Sequence, residues 1–279
     1  MHDVRGIVTR SIAAEENGKS LQANQFEGTT LGVSEETFNV AMTYPRCLRI
    51  NHFGRFVFAP TCCYQLVFPL HASRSKTDIA KRLAQVILSG TVMSYIFYQH
   101  IIPVCEQSVV HFDNHDYYNI LLKVLEVGIP CAYIWLTMFF LIFHAWTNLF
   151  ADLTRFADRR FYSDWWNAGD LGEYWRKWNH PIHNWLIRHC YYPLVRRGVS
   201  AEMAKFLTFL FSALAHEYVV VGIFRVNNFM GFLLMIINVP IMQTQNMLKG
   251  VVDRNFNNLL FWFGYVCTGQ PFGILLCYY

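Results

Sequence analysis

The feature that most constrains this chain is a series of long uncharged runs. Leu83–Cys105, Val127–Ala151, Phe229–Met242 and Leu259–Tyr279 contain no Asp, Glu, Lys or Arg. Phe206–Phe224 is broken only by His216 and Glu217. A run of about 20 apolar residues crosses a hydrocarbon core of roughly 30 Å as a helix. Backbone in lipid must satisfy its hydrogen bonds internally, which leaves helices or a closed barrel. The sequence therefore predicts an all-α polytopic membrane protein with about five spanning or partly spanning helices. Composition agrees: 54% of residues are hydrophobic and 15% charged, against roughly a quarter charged in ordinary soluble domains. The 17% of aromatic residues suits interfacial belts.

Charge placement orients the spans. Arg74, Lys76, Lys81 and Arg82 precede the Leu83–Cys105 run, and Glu106, Asp113 and Asp116 follow it. Basic flanks favour the cytoplasm, so residues 74–82 are expected there. Val127–Ala151 then returns to that side. The longest polar segment, 152–205, has a basic excess and is expected to be cytoplasmic too. The polar stretch 1–43, with Glu15, Glu16, Glu27, Glu35 and Glu36, reads as a flexible arm. It has no apolar core of a signal peptide, so an internal helix is expected to start insertion. Residues 44–279 form the expected membrane-embedded domain. Within it, Phe53–Leu70 is too short and proline-broken to span, and reads as an interfacial or re-entrant helix.

Several chemistries are excluded. A net charge of +4 with mixed signs gives no footprint for nucleic acid. The eight cysteines have no CxxC and no ligand spacing with histidine, so neither a disulfide framework nor a metal site is expected. There is no glycine-rich phosphate loop and no GxSxG elbow.

His216 is the first candidate for chemistry. It lies about 15 Å along its helix, near the bilayer midplane, where polar side chains are costly and face a protein interior or wet cavity. A neutral imidazole there is a natural general base. Glu217 points about 100° away and is expected to line the same polar cavity or to pair with a basic group. Ser212, one turn before His216, shares its face; a Ser–His pair is conceivable but lacks a third orienting group. Asn179 reads as an N-cap before Pro181, or as an amide that orients a reacting group. Residues 178–189 have the spacing of an amphipathic surface helix, and Ser200 is placed to cap the next one. Phe161-Tyr162-Ser163-Asp164-Trp165-Trp166-Asn167 is either an interfacial anchor or a rigid aromatic mouth to a site. His144 reads as a packing or headgroup-level residue. Gln270, between Gly269 and Pro271, sits at an expected break in the last run, either a kink or a substrate pocket.

Taken together, these motifs resemble a known family. The segment Phe161–Asn167 matches the FYxDWWN signature of membrane-bound O-acyltransferases that esterify sterols and diacylglycerol, and Trp178-Asn179 and His216-Glu217-Tyr218 match that superfamily's Asn and His. Phe58–Tyr64 resembles its FAPTxxY element, while Arg188–Pro193, Arg196-Arg197-Gly198 and Gly269-Gln270-Pro271 resemble the diacylglycerol branch. The resemblance implies a helical bundle with interfacial amphipathic helices and further N-terminal helices that this sequence does not contain. It implies transfer of a fatty acyl group from acyl-CoA to diacylglycerol at a bilayer, without a cofactor, metal or acyl-enzyme. His216 and Asn179 would be catalytic. Phe161, Tyr162, Asp164, Trp165, Trp166, Asn167, Trp178, Ser212, Glu217 and Gln270 would contact substrate. It further implies the endoplasmic reticulum membrane and a homo-oligomer. A sterol or fatty alcohol as acceptor, and a non-catalytic paralogue, are the other readings. One departure from the diacylglycerol branch is Asn238, two before Pro240, where glutamine is common.

Overall fold

The computed structural model describes Thr43 and residues 50–65, 67–225, 229–248 and 251–279. Except for Thr43, the arm expected over 1–43 lies outside the described residues. The chain divides into two compact units, Met1–Ile79 with Thr147–Arg159, and Ala80–Trp146 with Arg160–Tyr279.

In the smaller unit, α1 (Ile50–Phe58) has nine residues, too few to span, and stops just before Pro60. Ile50, Phe53, Val57 and Phe58 are exposed on it, as an interfacial helix requires. An aromatic chain follows, from Phe56 to Tyr64 at 5.5 Å, Tyr64 to Phe68 at 6.3 Å and Phe68 to Phe156 at 6.2 Å between ring centroids. Leu70 and Phe156 form an antiparallel bridge, flanked by His71 N–H to the Arg155 carbonyl at 2.8 Å and Ala157 N–H to that of Pro69 at 2.9 Å.

The larger unit is mainly helical. α2 (Lys76–Ile96) continues through a π-helical stretch, Phe97–Ile101, into α3 (Ile102–Asp113). The chain turns at His115, which adopts a left-handed φ of 53°. Asp116 then caps α4 (Tyr117–Phe139) by accepting from Asn119 N–H at 3.2 Å. A second π-helical stretch, Phe140–Trp146, is followed in the chain by α5 (Thr147–Thr154), which belongs to the smaller unit. α6 (Leu171–Trp178) and α7 (His180–Leu186) follow, and a π-helical stretch, Ile187–Tyr191, joins α7 to α8 (Tyr192–Arg196). Ser200 caps α9 (Ala201–Phe224), accepting from Met203 N–H at 3.4 Å. α10 (Met230–Ile236) and α11 (Asn238–Met247) precede α12 (Arg254–Leu260), whose π-helical continuation Phe261–Gly269 ends in α13 (Gln270–Tyr278).

Among the described residues, three helical segments are long and apolar enough to cross a membrane: Tyr117–Thr154, Ala201–Ile223 and Arg254–Tyr278. The Leu83–Cys105 run, expected to span, folds as helix but is not among them. Its Ser89, Gly90, Thr91, Ser94, Gln99 and His100 dilute its apolar character. Phe229–Met242 divides into two short helices. The expected 178–189 helix is an α-helix only to Leu186 and then widens.

The widening has a cause in sequence. Of the four π-helical stretches among the described residues, three end two residues before a proline, at Pro103, Pro193 and Pro271. In each, the residue just before the proline donates its N–H five residues back, Ile102 to Phe97, Tyr192 to Ile187 and Gln270 to Tyr265. Proline has no N–H and its ring crowds the carbonyl four residues earlier; a wider turn relieves both. The break expected at Gln270 is therefore a change of helical register, not a gap.

Pro271 leaves the Cys267 carbonyl without its usual donor. α4 comes against it: a Cβ added at Gly128 would stand 2.7 Å from the Cys267 oxygen. Around this approach, Ile101, Val104, Cys105, Val124, Val127, Cys131 and Leu275 form one buried cluster. Gly128→Ala must push a backbone carbonyl aside, at a cost of about 1–3 kcal/mol. Its thermal midpoint in detergent should fall by several degrees. Gly90→Ala, where nothing lies within 4 Å, should leave the midpoint unchanged or raise it.

Candidate active site

The FYxDWWN-like segment folds as a loop clamped at both ends. Its tail, Trp165–Asn167, is one 3₁₀ turn. Asp170 then caps α6 through Glu173 N–H at 2.7 Å. Asn179 ends α6 and starts α7, with extended φ of −149° and its Oδ1 accepting from Ile182 N–H at 3.1 Å. Capping uses the amide oxygen; its two N–H donors make no hydrogen bond among the described residues. Three contacts stitch the loop to this helix junction. His180 N–H donates to the Phe161 carbonyl at 2.9 Å and Ser163 N–H to that of Lys177 at 2.9 Å, and Ser163 Oγ lies 3.2 Å from His180 Nε2.

Charges close the other side. The Lys177 ammonium lies 2.7 Å from Asp164 and 2.8 Å from Glu173. Glu173 also accepts from Gly169 N–H at 2.8 Å and Arg254 at 3.0 Å. Burial works to raise the Glu173 carboxyl, but these donors, Lys177 first, outweigh it and hold the pKa down to about 2. Hydrogen bonds to Asp164 and Glu173 hold the Lys177 ammonium above its ordinary value.

The loop's polar residues have partners of their own. Asp164 is exposed and engages Lys177. Trp166 is 47% exposed, and its carbonyl receives Asn258 Nδ2 at 3.0 Å and Trp262 Nε1 at 3.1 Å. The Asn167 carbonyl receives Arg254 at 3.1 Å. Trp166 and Asn167 fasten the loop to α12 through their backbone. Phe161 and Trp165 are buried.

Trp178 is the centre of the packing. Trp135 stacks on it at 4.6 Å and 10°, and Trp165 meets it edge-on at 4.8 Å. Phe139, Phe143 and Tyr174 complete the ring at 4.7, 5.2 and 5.4 Å. Tyr265 joins from the last helical segment, 6.5 Å from Trp135 and 5.7 Å from Tyr174, and its carbonyl accepts from the Gln270 backbone N–H. Gln270 is thus tied to the cluster that seats Trp178 and hence Asn179.

His216 stands on α9. That helix packs on the Asn179-bearing segment through Phe209 against Trp175 at 5.9 Å and Phe211 against Trp185 at 6.0 Å. His216 is exposed, and its Nδ1 lies 2.7 Å from the Ser212 carbonyl. A carbonyl only accepts, so Nδ1 carries a proton, and in the neutral ring the lone pair is on Nε2. Ser212 acts here through its backbone. No hydrogen bond joins His216 to Asn179 among the described residues. Glu217, expected to line the same polar cavity or to pair with a basic group, is buried. Its Oε1 accepts from Phe229 N–H at 3.1 Å and its Oε2 from Phe232 N–H at 3.0 Å. It satisfies orphan donors at the start of α10, and Gly231 allows the approach.

The profile of MBOAT, the membrane-bound O-acyltransferase family, matches residues 30–278. The chain belongs to this family. It is 36% identical over 239 residues to a soybean (Glycine max) protein named diacylglycerol O-acyltransferase 1C, covering 85% of this chain and 46% of that one. It is 37% identical over 230 residues to Arabidopsis thaliana diacylglycerol O-acyltransferase 1, covering 82% and 44%. Against the Dictyostelium discoideum protein of the same name the figures are 34% over 236 residues, 84% and 38%. The chain spans less than half the length of these relatives.

In this member of the family, the residues that hold the loop in place were not legible in the sequence. Glu173, Lys177 and Arg254 carried no motif, and only Glu173 and Lys177, four apart on one helix, gave a local signal. Glu173 ionises near 4.5 when unconstrained and near 2 here. A depressed carboxylate stabilises the fold fully above its unfolded pKa and progressively less as pH falls toward the folded one. Limited proteolysis of residues 158–180 should therefore be flat from pH 8 to about 5 and accelerate between about 4.5 and 2. Glu173→Gln should be cleaved faster at neutral pH and show a weaker acid dependence.

Proposed function

We propose that this chain transfers a fatty acyl group from acyl-CoA to the free hydroxyl of diacylglycerol, yielding triacylglycerol and CoA. The observation that carries this reading is the His216 tautomer. Its Nδ1–H is committed to the Ser212 carbonyl at 2.7 Å, which makes Nε2 the nitrogen that bears the lone pair of the neutral ring, as a general base requires. The names of the relatives supply the acceptor class, and the family supplies the reaction class.

In this mechanism the acceptor O–H gives its proton to His216 Nε2 as its oxygen attacks the thioester carbonyl. The C–S bond breaks, and the thiolate departs with the CoA moiety and takes up the proton. A thiolate is a good leaving group, so no strong acid is needed, and no cofactor enters beyond acyl-CoA itself. Asn179, seated by Trp178 and with its N–H donors uncommitted, orients or polarises a reacting oxygen. Gln270, held by Tyr265, is a second amide for the thioester. The basic 152–205 segment attracts CoA phosphates. The acyltransferase domain is 44–279, with 1–43 an arm, in the endoplasmic reticulum membrane as a homo-oligomer.

Labelled oleoyl-CoA, offered with diacylglycerol and cholesterol together to membranes containing the chain, tests this. Triacylglycerol should form, and His216→Ala should lower its rate by about 10²–10⁴-fold. Equal labelling of cholesterol would overturn the acceptor; unchanged turnover by His216→Ala would overturn the base.

A further inference from the structure

Arg82, His144 and Tyr162 come from three separated parts of the larger unit and meet in one line. Arg82 Nη1 lies 3.0 Å from His144 Nε2 and 3.0 Å from Gln85 Oε1. His144 Nδ1 lies 2.7 Å from the Tyr162 hydroxyl. Phe140 stacks on the His144 ring at 5.0 Å and 23°, and Phe139 meets the Tyr162 ring edge-on at 4.8 Å. The imidazole is thus clamped on its face and at both nitrogens.

The direction of these bonds follows from donor chemistry alone. A guanidinium has N–H donors and no acceptor. His144 Nε2 must therefore accept, so it bears the lone pair and the ring is neutral with its proton on Nδ1. An imidazolium would put two cations face to face. Nδ1–H then donates to the Tyr162 oxygen, and the Tyr162 proton cannot point back at His144. It is left for an acceptor outside the triad. Tyr162 sits against Phe139, itself 4.7 Å from the Trp178 ring that seats Asn179. The Tyr162 ring lies among aromatic groups, and the Arg82 guanidinium reaches its hydroxyl only across the His144 ring, so the hydroxyl offers a single neutral donor, which suits a carbonyl oxygen.

We propose that Arg82 and His144 are positioning residues that fix Tyr162 as a hydrogen-bond donor to the thioester carbonyl oxygen of bound acyl-CoA. The proposal rests on the acyltransferase reading above. The charge that sets the relay is remote: Arg82 fixes the tautomer, the tautomer fixes the hydroxyl, and only the hydroxyl touches ligand. Arg82→Lys keeps a cationic donor and hence the relay. Arg82→Glu supplies an acceptor, so the His144 proton moves to Nε2, Nδ1 becomes the acceptor, and the Tyr162 proton is drawn back to it.

The test uses the full chain in lipid nanodiscs, with His216→Ala as background so that bound substrate persists. Oleoyl-CoA carrying ¹³C at the thioester carbonyl is the probe, and its C=O stretch is read by difference infrared spectroscopy. The stretch should lie below that of free oleoyl-CoA. The shift should vanish in Tyr162→Phe and in Arg82→Glu, and persist in Arg82→Lys. With His216 present, Tyr162→Phe and His144→Ala should each lower kcat about tenfold with KM changed less than about twofold, and the double variant should lose no more than either alone, because both act through one hydroxyl. If His144→Ala does not fold, the Arg82 pair and Tyr162→Phe decide the matter. A bound carbonyl that is unshifted, or equally shifted in Tyr162→Phe, overturns the relay and leaves the acyltransferase reading standing. Failure to bind oleoyl-CoA at all removes the acyl donor, and this inference with it.

Discussion

Everything proposed for the site depends on where Trp178 sits. An indole stacked at 4.6 Å on Trp135 and met edge-on by Trp165 cannot shift without repacking three parts of the chain. Aromatic pairs in such offset and T-shaped geometries are worth about 0.5–1.5 kcal/mol each beyond their burial. The next residue is Asn179, whose extended backbone lets one helix end and another begin. Its position is fixed from the apolar side by Trp178 and from the polar side by the cap to Ile182. The ionic staples around Glu173 act on the same element from its exposed face. Surface ion pairs taken singly contribute little, but here one carboxylate gathers Lys177, Arg254 and the Gly169 N–H. Geometry, more than energy, is what such a hub supplies.

A second constraint runs through the helices. Every proline in an apolar helix removes one donor, and in lipid no water replaces it. The chain answers with wide turns ending two residues before Pro103, Pro193 and Pro271, and in one case with a glycine on the neighbouring helix. Gly128 and Pro271 are far apart in sequence but belong to one solution: the carbonyl that Pro271 strands is the one Gly128 approaches. The same register change places Tyr265 and Gln270 in one wide turn, where the Gln270 backbone N–H donates to the Tyr265 carbonyl. The proline that reads as a break in the sequence therefore builds the seat of a candidate site residue.

What was legible in the sequence was local or periodic. The Asn179 and Ser200 caps depend on partners three residues away, and both helices start where those residues say. The uncharged runs gave an all-helical membrane protein, because lipid allows few alternatives. What was not legible had distant partners. Glu217 looked like a cavity residue because its own helix offers it nothing; its partners are backbone donors 12 and 15 residues on. His144 looked like packing because Arg82 and Tyr162 stand 62 and 18 residues away. Asp164, Trp166 and Asn167 were read by their side chains, whereas the last two bond through their carbonyls, which carry no residue signature. The Leu83–Cys105 run was read by its lack of charge, a weaker criterion than apolarity when Ser, Thr, Gly, Gln and His dilute it.

His216 and Glu217 show how one helix separates structure from chemistry. Adjacent residues point about 100° apart, so a pair of ionisable groups in an apolar helix cannot share a direction. The carboxylate, costly to bury alone, takes two backbone N–H groups that α10 leaves unpaired, and each offsets the other's desolvation. The imidazole needs only one bond to fix its proton and finds it on its own helix, at Ser212. Its other nitrogen is then free of any structural duty. An amide or carboxylate at 216 would also seek partners, but neither would leave a lone pair that takes and releases a proton near neutral pH. The helix thus turns its carboxyl to holding α10 and leaves the imidazole of the proposed base out of that duty.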